Sequence, residues 1–459
     1  MKQTIVNAEQ CPLITIEDHF FKPCKGLFGK KVSQRKITGV IIGKFLFSFF
    51  LLPIFAQAQP LELQDCYRLT RANAPQIKLL ALNAEELKVG TNKLESTNMP
   101  TLKAYGSASY QSEAVRVAFP IPGVEPFELD LFQYNAGVII DQKIYDGSMV
   151  SLQKDIKAIQ ASIQDLESEL AIYQLNELVN KYFFGVALLQ KSIRILELKI
   201  EVLNQQEHNL QSGVQQGFFT ESESGRLAAE RLTAGQQLIE TNLSLVRLKE
   251  SLGMLVGLSG SELEIVLPDS LDVPDSLNRL EYSLFDERRN YFDAASKLYD
   301  RQYLPRLNAF GQTGYSYPGL NMFENASDYY YIVGVKLGWN LFDWNQAKKE
   351  KQLLTIQKSR IDIAEQDFER NINLALKVCM QEIESLRTML KSDEEIVKYK
   401  ENIRNTSASM LQHGTITPAD YLRDLNEELH ARFVLEQHQI KLIEAQAMLA
   451  YYYGIPSIN

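Results

Sequence analysis

Between residues 146 and 217 the apolar positions recur in alternating steps of three and four. They are Ile156, Ile159, Ile163, Leu166, Leu170 and Tyr173, then, past a slip at residues 175–178, Tyr182, Val186, Leu189, Ile193, Leu196, Ile200 and Leu203. That spacing is a heptad seam and demands a partner helix along its length. No proline interrupts the stretch. At about 1.5 Å per residue it predicts a rod on the order of 100 Å, far longer than a globular helix.

Upstream, residues 61–98 read as helical with a turn at Asn73-Ala74-Pro75, and after Pro100 the period changes to two. Leu102, Ala104, Gly106, Ala108 and Tyr110 alternate with Lys103, Ser107, Ser109 and Gln111. A loop holding Pro120, Pro122, Gly123 and Pro126 follows, then a second strand. There Phe132, Tyr134, Ala136, Val138, Ile140 and Ile144 face one way, and Gln133, Asn135, Gly137, Asp141 and Lys143 the other. Alternation alone also fits a half-buried sheet of a soluble domain. The aromatic residues at both strand ends instead match the girdles of a membrane barrel.

The pattern then repeats. A shift of 197 carries Gly137-Val138 onto Gly334-Val335, Asp146 onto Asp343, Gly217 onto Gly414, Thr220 onto Thr417 and Gly257 onto Gly454. Pro100-Thr101-Leu102 returns as Pro305-Arg306-Leu307. The repeated strand places Tyr329, Tyr331, Val333, Val335, Leu337, Trp339 and Leu341 outward, with Gly334, Lys336, Gly338 and Asn340 inward. The chain therefore reads as mainly α with a membrane β-barrel, a duplicated helix–strand–strand–long helix–return helix. Between the halves, Gly257, Gly260, Pro268, Asp269, Asp272, Pro274 and Asp275 mark a linker, followed by a helix over residues 284–302.

The far end of each rod has local turn chemistry. Gly217 is suited to the left-handed conformation that ends a helix, and Thr220 with Glu223 forms a capping box for the return helix. In the second half Gly414 ends the descent, Thr417 caps, Pro418 takes the first helical position and Asp420 the box position.

Composition narrows the function. Lys30, Lys31, Arg35, Lys36 and Lys44 precede an apolar core at residues 45–55 and Ala56-Gln57-Ala58, the layout of a secretory signal with cleavage after Ala58. The core is too short to span a bilayer as an anchor. Past that point 40 Lys and Arg face 54 Asp and Glu, a net of −14, which argues against nucleic acid as a partner. Cys11 and Cys24 fall in the leader, and Cys66 and Cys379 are too far apart in sequence for a disulfide framework. Both read as small buried or half-buried residues on helices. No enzyme is indicated. His208, His413, His430 and His438 lack metal-ligand spacing, Gly257-Leu258-Ser259-Gly260 falls one residue short of a nucleophile elbow, and no phosphate-binding glycine loop is present, so no cofactor or metal is expected.

Two strands per repeat cannot close a barrel, and open edges cannot face lipid, so strands of several copies must combine. The strand openings Pro100-Thr101-Leu102 and Pro305-Arg306-Leu307 resemble those of the outer-membrane efflux proteins of the TolC type. So do Ile144-Tyr145-Asp146-Gly147, Leu341-Phe342-Asp343 and the turns Gly217-x-x-Thr220 and Gly414-x-x-Thr417.

The resemblance covers essentially the whole mature chain. It implies a homotrimer with a twelve-stranded barrel in the outer membrane and a periplasmic α-helical tunnel. It also implies a periplasmic adaptor and an inner-membrane transporter of the RND, ABC or MFS type as partners. The implied role is the exit duct of a tripartite efflux system for small molecules. A type I protein secretion duct and a non-transport coiled-coil or adhesin protein are the alternatives.

The segments expected are a leader (1–58), N-terminal helices (59–99), first strand pair (100–146), first long hairpin (147–257) and linker (258–284). A helix to the membrane (285–304), second strand pair (305–343), second hairpin (344–454) and tail (455–459) complete the chain. By the same resemblance Gly217 and Gly414 are adaptor-docking turns, and Asp420, with Glu223 as counterpart, belongs to an acidic ring at the closed mouth. Capping alone also explains both acids. Arg423 stands where a second ring acid is expected. The outward strand residues Phe132, Tyr134, Val138, Ile140, Tyr329, Tyr331, Val335, Leu337 and Trp339 are expected to face outer-membrane lipid.

Overall fold

Two strand pairs and two long helical hairpins succeed each other along the chain. α1 (Leu63–Asn73) and α2 (Ile77–Ser96) lead into β1 (Thr101–Tyr110), and a small hairpin of β2 (Arg116–Val117) and β3 (Phe127–Glu128) precedes β4 (Phe132–Tyr145). α3 (Met149–Gln215) and α4 (Glu221–Val256) complete the first half. A 3-10 turn (Gly260–Glu262) and an irregular linker reach α5 (Leu280–Arg301), β5 (Arg306–Tyr317), β6 (Asp328–Gly338), α6 (Gln346–Gln412) and α7 (Pro418–Tyr453). α3 and α6 each span 67 residues, and α4 and α7 each span 36. The 197-residue offset thus places every end of these four helices on its counterpart.

This computed structural model describes residues 60–454 except 118, 119, 121, 124, 125, 216, 218, 272, 273 and 275. The expected leader and cleavage site, with Cys11 and Cys24, and the expected tail 455–459 lie outside the described residues. The described residues cluster as one compact unit.

The rod is a single helix across the slip at 175–178, and its burial corrects the seam read from the sequence. Ile156, Val186 and Leu203 are buried, whereas Ile163, Leu166, Leu170, Tyr182 and Leu189 are only half-buried. Ile172, Val179, Phe183, Phe184 and Ala187, off the expected stripe, are buried instead. The reason is that α3 has different partners at different heights. Arg71 of α1 pairs with Glu169, Asn83 of α2 donates to Asp165 at 2.9 Å, and Arg288 of α5 pairs with Glu167 at 2.7 Å. Nearer the tip, Lys199 pairs with Glu230 of α4 at 2.6 Å and Lys191 with Glu436 of α7 at 2.8 Å. A helix embraced from several sides buries more than one stripe.

The strands form one antiparallel sheet in the order β1–β4–β5–β6, leaving one side of β1 and one of β6 unpaired. Two details of the strands differ from the sequence reading. β6 ends at Gly338, so Trp339 and Leu341 lie past the ladder; the Trp339 indole N–H donates to the Tyr303 carbonyl at 2.8 Å instead. In β4 the register shifts between Lys143 and Tyr145, so Tyr145, and not Ile144, pairs with the next β5 residue, Leu307. The β2–β3 hairpin in the first loop is an addition to the expected layout.

Three clusters carry the interior. Around mid-helix, Cys66, Tyr67, Val179, Phe183, Leu252, Leu263 and Ile440 draw α1, α3, α4, the linker and α7 together. Cys66 is fully buried, and that burial, followed by the charge of Asp65, pushes its thiol up to about 12. A second cluster joins both hairpin ends, and a third, with Leu376, Cys379, Ile383 and Leu449, packs α6 on α7.

α5 starts at Leu280, four residues ahead of expectation, because the linker end is pinned at the foot of α7. The Asn278 N–H donates to the Tyr453 carbonyl at 2.7 Å, and the Arg279 guanidinium donates to the Tyr451 carbonyl at 2.8 Å and to Glu281 Oε2 at 3.0 Å. Arg279 also lies 5.0 Å from the Tyr173 ring and 5.4 Å from the Tyr451 ring. With 6% and 11% of their side chains exposed, Arg279 and Glu281 are a buried pair. Removing one partner strands the other charge, at a cost of roughly 3 kcal/mol or more, whereas replacing both with apolar residues avoids that cost. Denaturant titration of the helical signal is expected to show Arg279→Ala destabilised by about 3 kcal/mol, with much of the loss recovered by Arg279→Met combined with Glu281→Leu.

Candidate functional site: the helix tips and the strand faces

Both tip turns have the chemistry expected of them. Gly217 and Gly414 adopt positive φ, 78° and 68°, where a side chain meets backbone strain although open space surrounds the Cβ position. Each return helix then opens with a complete capping box. Thr220 Oγ1 accepts from the Glu223 N–H at 3.3 Å, while Glu223 Oε2 accepts from the Thr220 N–H at 2.8 Å. In the second half Thr417 Oγ1 accepts from the Asp420 N–H at 3.3 Å and donates to Asp420 Oδ2 at 2.7 Å. Pro418 occupies the first turn, as its lost N–H allows.

One apolar cluster brings the two hairpin ends together. Leu203 and Leu210 of α3, Leu227 of α4, Leu411 of α6 and Tyr421, Leu425 and Leu429 of α7 interlock there. Phe219 covers Gly213 so closely that a Cβ at Gly213 would meet its ring at 2.6 Å. His413 is exposed at the turn, its Nδ1 2.7 Å from the Ser409 carbonyl oxygen.

The electrostatics of the tip acids follow from their caps. The Thr417 hydroxyl, then its backbone N–H, hold the Asp420 carboxyl below the usual range, and Arg423 adds to the effect. For Glu223 the Thr220 N–H comes first, then the hydroxyl. Both acids therefore stay ionised at neutral pH. Their capping contribution is present above the ordinary carboxyl range, near 4, and is lost only as pH falls through the lowered values. Arg423 stands 3.7 Å from Asp420 and 3.4 Å from Asp424, so a cation shares the space assigned to a second ring acid.

At the other end, the two faces of the sheet differ in kind. Successive side chains of a strand face opposite sides, and the register places Leu102, Ile140, Gly311 and Val333 in one row. The strand residues of that face, from Ala104 and Val138 to Tyr331 and Leu337, include no charge. Tyr331, Val333 and Val335 are 79%, 78% and 70% exposed within one chain. Phe132, Tyr134, Ile140, Tyr329, Val335 and Leu337 lie on this face as expected. Tyr134 is half-buried among Phe132, Tyr315 and Tyr317, an aromatic band at the loop end of the strands.

The opposite face holds an arrangement that sequence reasoning missed. Tyr105, Gly137, Gly314 and Tyr330 form one row across all four strands. The two tyrosines lie down over the glycines and hydrogen bond to each other through their hydroxyls. Gln312 Nε2 donates to both hydroxyls, at 2.7 and 2.9 Å, and Tyr330 donates to Asn135 Oδ1 at 2.9 Å. A Cβ at Gly137 would sit 2.5 Å from the Tyr105 hydroxyl. Two edge strands whose side chains meet across two intervening strands require a sheet curved toward this face. The available signal was the pair of mid-strand glycines, which mark close approach.

No family model matches the sequence, and a comparison with curated proteins finds no match. Solved structures do match. The outer membrane protein VceC of Vibrio cholerae aligns with a TM-score of 0.64 at 14% identity, over 85% of this chain and 96% of its own. The CmeC outer membrane channel of Campylobacter jejuni gives 0.62 at 14%, over 85% of each chain. The open-state MtrE outer membrane channel of Neisseria gonorrhoeae gives 0.58 at 14%, over 85% and 88%. The chain has the fold of the TolC-like outer-membrane efflux channels.

The pairing of Arg423 with Asp420 separates a gate role from capping. In single-channel recordings Asp420→Asn is expected to lower cation preference and Arg423→Gln to raise it, with helix content unchanged in both. Lowered thermal stability with unaltered selectivity would make Asp420 a cap and nothing more.

Proposed function

On the fold of an outer-membrane efflux channel, we propose that the chain is the outer-membrane exit duct of a tripartite efflux system, extending into the periplasm. Three copies pool their strands into one twelve-stranded barrel, and their long hairpins form the tunnel beneath it. A periplasmic adaptor docks at the turns of Gly217 and Gly414, and an inner-membrane transporter of the RND, ABC or MFS type supplies the energy. Small molecules, drugs and toxic compounds among them, pass through without chemistry, so the chain is not an enzyme.

The observation that carries this reading is the four-stranded sheet with one charge-free face and two open edges. Such a face suits lipid, and lipid offers no partner for unpaired backbone groups, so further strands must supply them. The helices agree. Leu232, Ile239, Leu243 and Val246 of α4 are 52–61% exposed at coiled-coil spacing. On α6, Met389, Ile396, Ile403 and Met410 recur every seventh residue and are also exposed. These are stripes for helices of another copy.

Docking and conduction separate at the tip. A leucine at positive φ costs only about 1–2 kcal/mol, too little to undo a long hairpin, yet it projects from the turn into open space. Gly414→Leu is expected to abolish dye export from cells while the purified protein still conducts in planar bilayers. Export that survives this change removes the turn from the docking surface, and a wild-type protein that never conducts removes the duct.

A further inference from the structure

The charged face of the sheet is not evenly charged. Every charged residue in the strands of the four-stranded sheet lies opposite the apolar face: Lys103, Asp141, Lys143, Arg306, Asp328 and Lys336. Asp328 begins β6 at the loop end. The other five gather where the strands join the helices, four cations against the single carboxylate of Asp141. Lys143 and Lys336 flank Asn308 in one cross-strand row, and Lys103 sits two rows above, beside Ile139. With Thr97, Asp141 and Gln312, the three lysines line one concavity of about 500 Å³.

Nearby acids are already committed. Asp146 and Asp343 each accept a backbone N–H at a long-helix start, from Val150 and Ala347, both at 2.9 Å. Glu95 pairs with Lys154, and Asp300 with Lys351 at 2.7 Å. Lys103, Lys143, Arg306 and Lys336 form no ion pair among the described residues.

We infer that these residues form a cationic collar at the helix-side end of the barrel lumen, and that the duct binds and passes solutes bearing anionic groups: carboxylate, sulfate or phosphate. The inference rests on the duct reading, since only a barrel turns this concave face into a lumen. Three copies set twelve cations against three carboxylates around one passage. Facing walls of like charge concentrate counter-ions between them, the more so where protein limits screening. Lys103, Lys143 and Lys336 are exposed within one chain, but unlike scattered surface lysines they share one face, one end and one hollow. The tip is compatible with anionic cargo, because Arg423 stands beside Asp420 and offsets its charge at the mouth.

The probe is inorganic pyrophosphate, added on the barrel side to the purified protein in planar bilayers. At about 0.1 M KCl, where screening reaches ~10 Å, pyrophosphate is expected to block the wild-type current, with the block fading at about 1 M. In the combined K103Q/K143Q/K336Q variant the half-blocking concentration is expected to rise roughly tenfold or more, and selectivity to shift away from chloride. The K103R/K143R/K336R variant, which keeps the charge, should block like wild type. Wild-type channels indifferent to pyrophosphate overturn the collar without any variant, as do Gln and Arg variants with equal block. A wild-type protein that forms no channel overturns the duct reading itself.

Discussion

The backbone groups along the free sides of β1 and β6 constrain everything else in this chain. A peptide N–H or C=O without a partner costs several kcal/mol in hydrocarbon, and the outward face beside these edges carries no charge to draw water near. In the trimeric duct proposed above, strand pairing between copies would satisfy the edges, and curvature toward the polar face would direct that pairing into closure. The Tyr105–Tyr330 bridge over Gly137 and Gly314 holds each four-stranded segment in the bent form that closure needs. A flat sheet with the same sequence pattern would extend as an open edge.

Once the sheet is shared, the helices must follow. Each strand pair is joined to a helical hairpin of the same length, 67 residues down and 36 back. Copies arranged around a barrel therefore bring hairpins of matched height side by side. The stripe on α4 from Leu232 to Val246 and the seven-residue repeat on α6 from Met389 to Met410 have no cover within one chain. Equal length also places every tip at one level, where the caps of Thr220 and Thr417 fix the entry of each return helix. Arg279, seated among Tyr173, Tyr451 and Glu281, ties the linker between the halves to the foot of α7.

Much of this was legible in the residues because duplication repeats weak signals. Gly217 and Gly414, Thr220 and Thr417, and the shared 197-residue shift located the turns and helix ends. Period-two alternation sorted Val138 and Val335 from Asn135 and Lys336. What escaped depends on contacts distant in sequence. Burial along α3 follows the height at which α1, α2, α5 and α7 touch it, so Phe183 and Phe184 displaced Tyr182 from the interior. Nothing local marks Tyr105 and Tyr330, 225 residues apart, as partners. β6 ends at Gly338 because Gly338 pairs with Arg306, the first residue of β5, and Pro305 beyond it has no N–H to extend the ladder. The Asp420 site was legible as a cap, but the position of Arg423 against it required the helix geometry.

Closure by shared strands is the central claim, and the mass of the particle extracted in mild detergent tests it most directly. Native mass measurement is expected to give three chains, persisting at concentrations where weak association is lost. A stable particle of one chain, with β1 and β6 left open, would contradict the account.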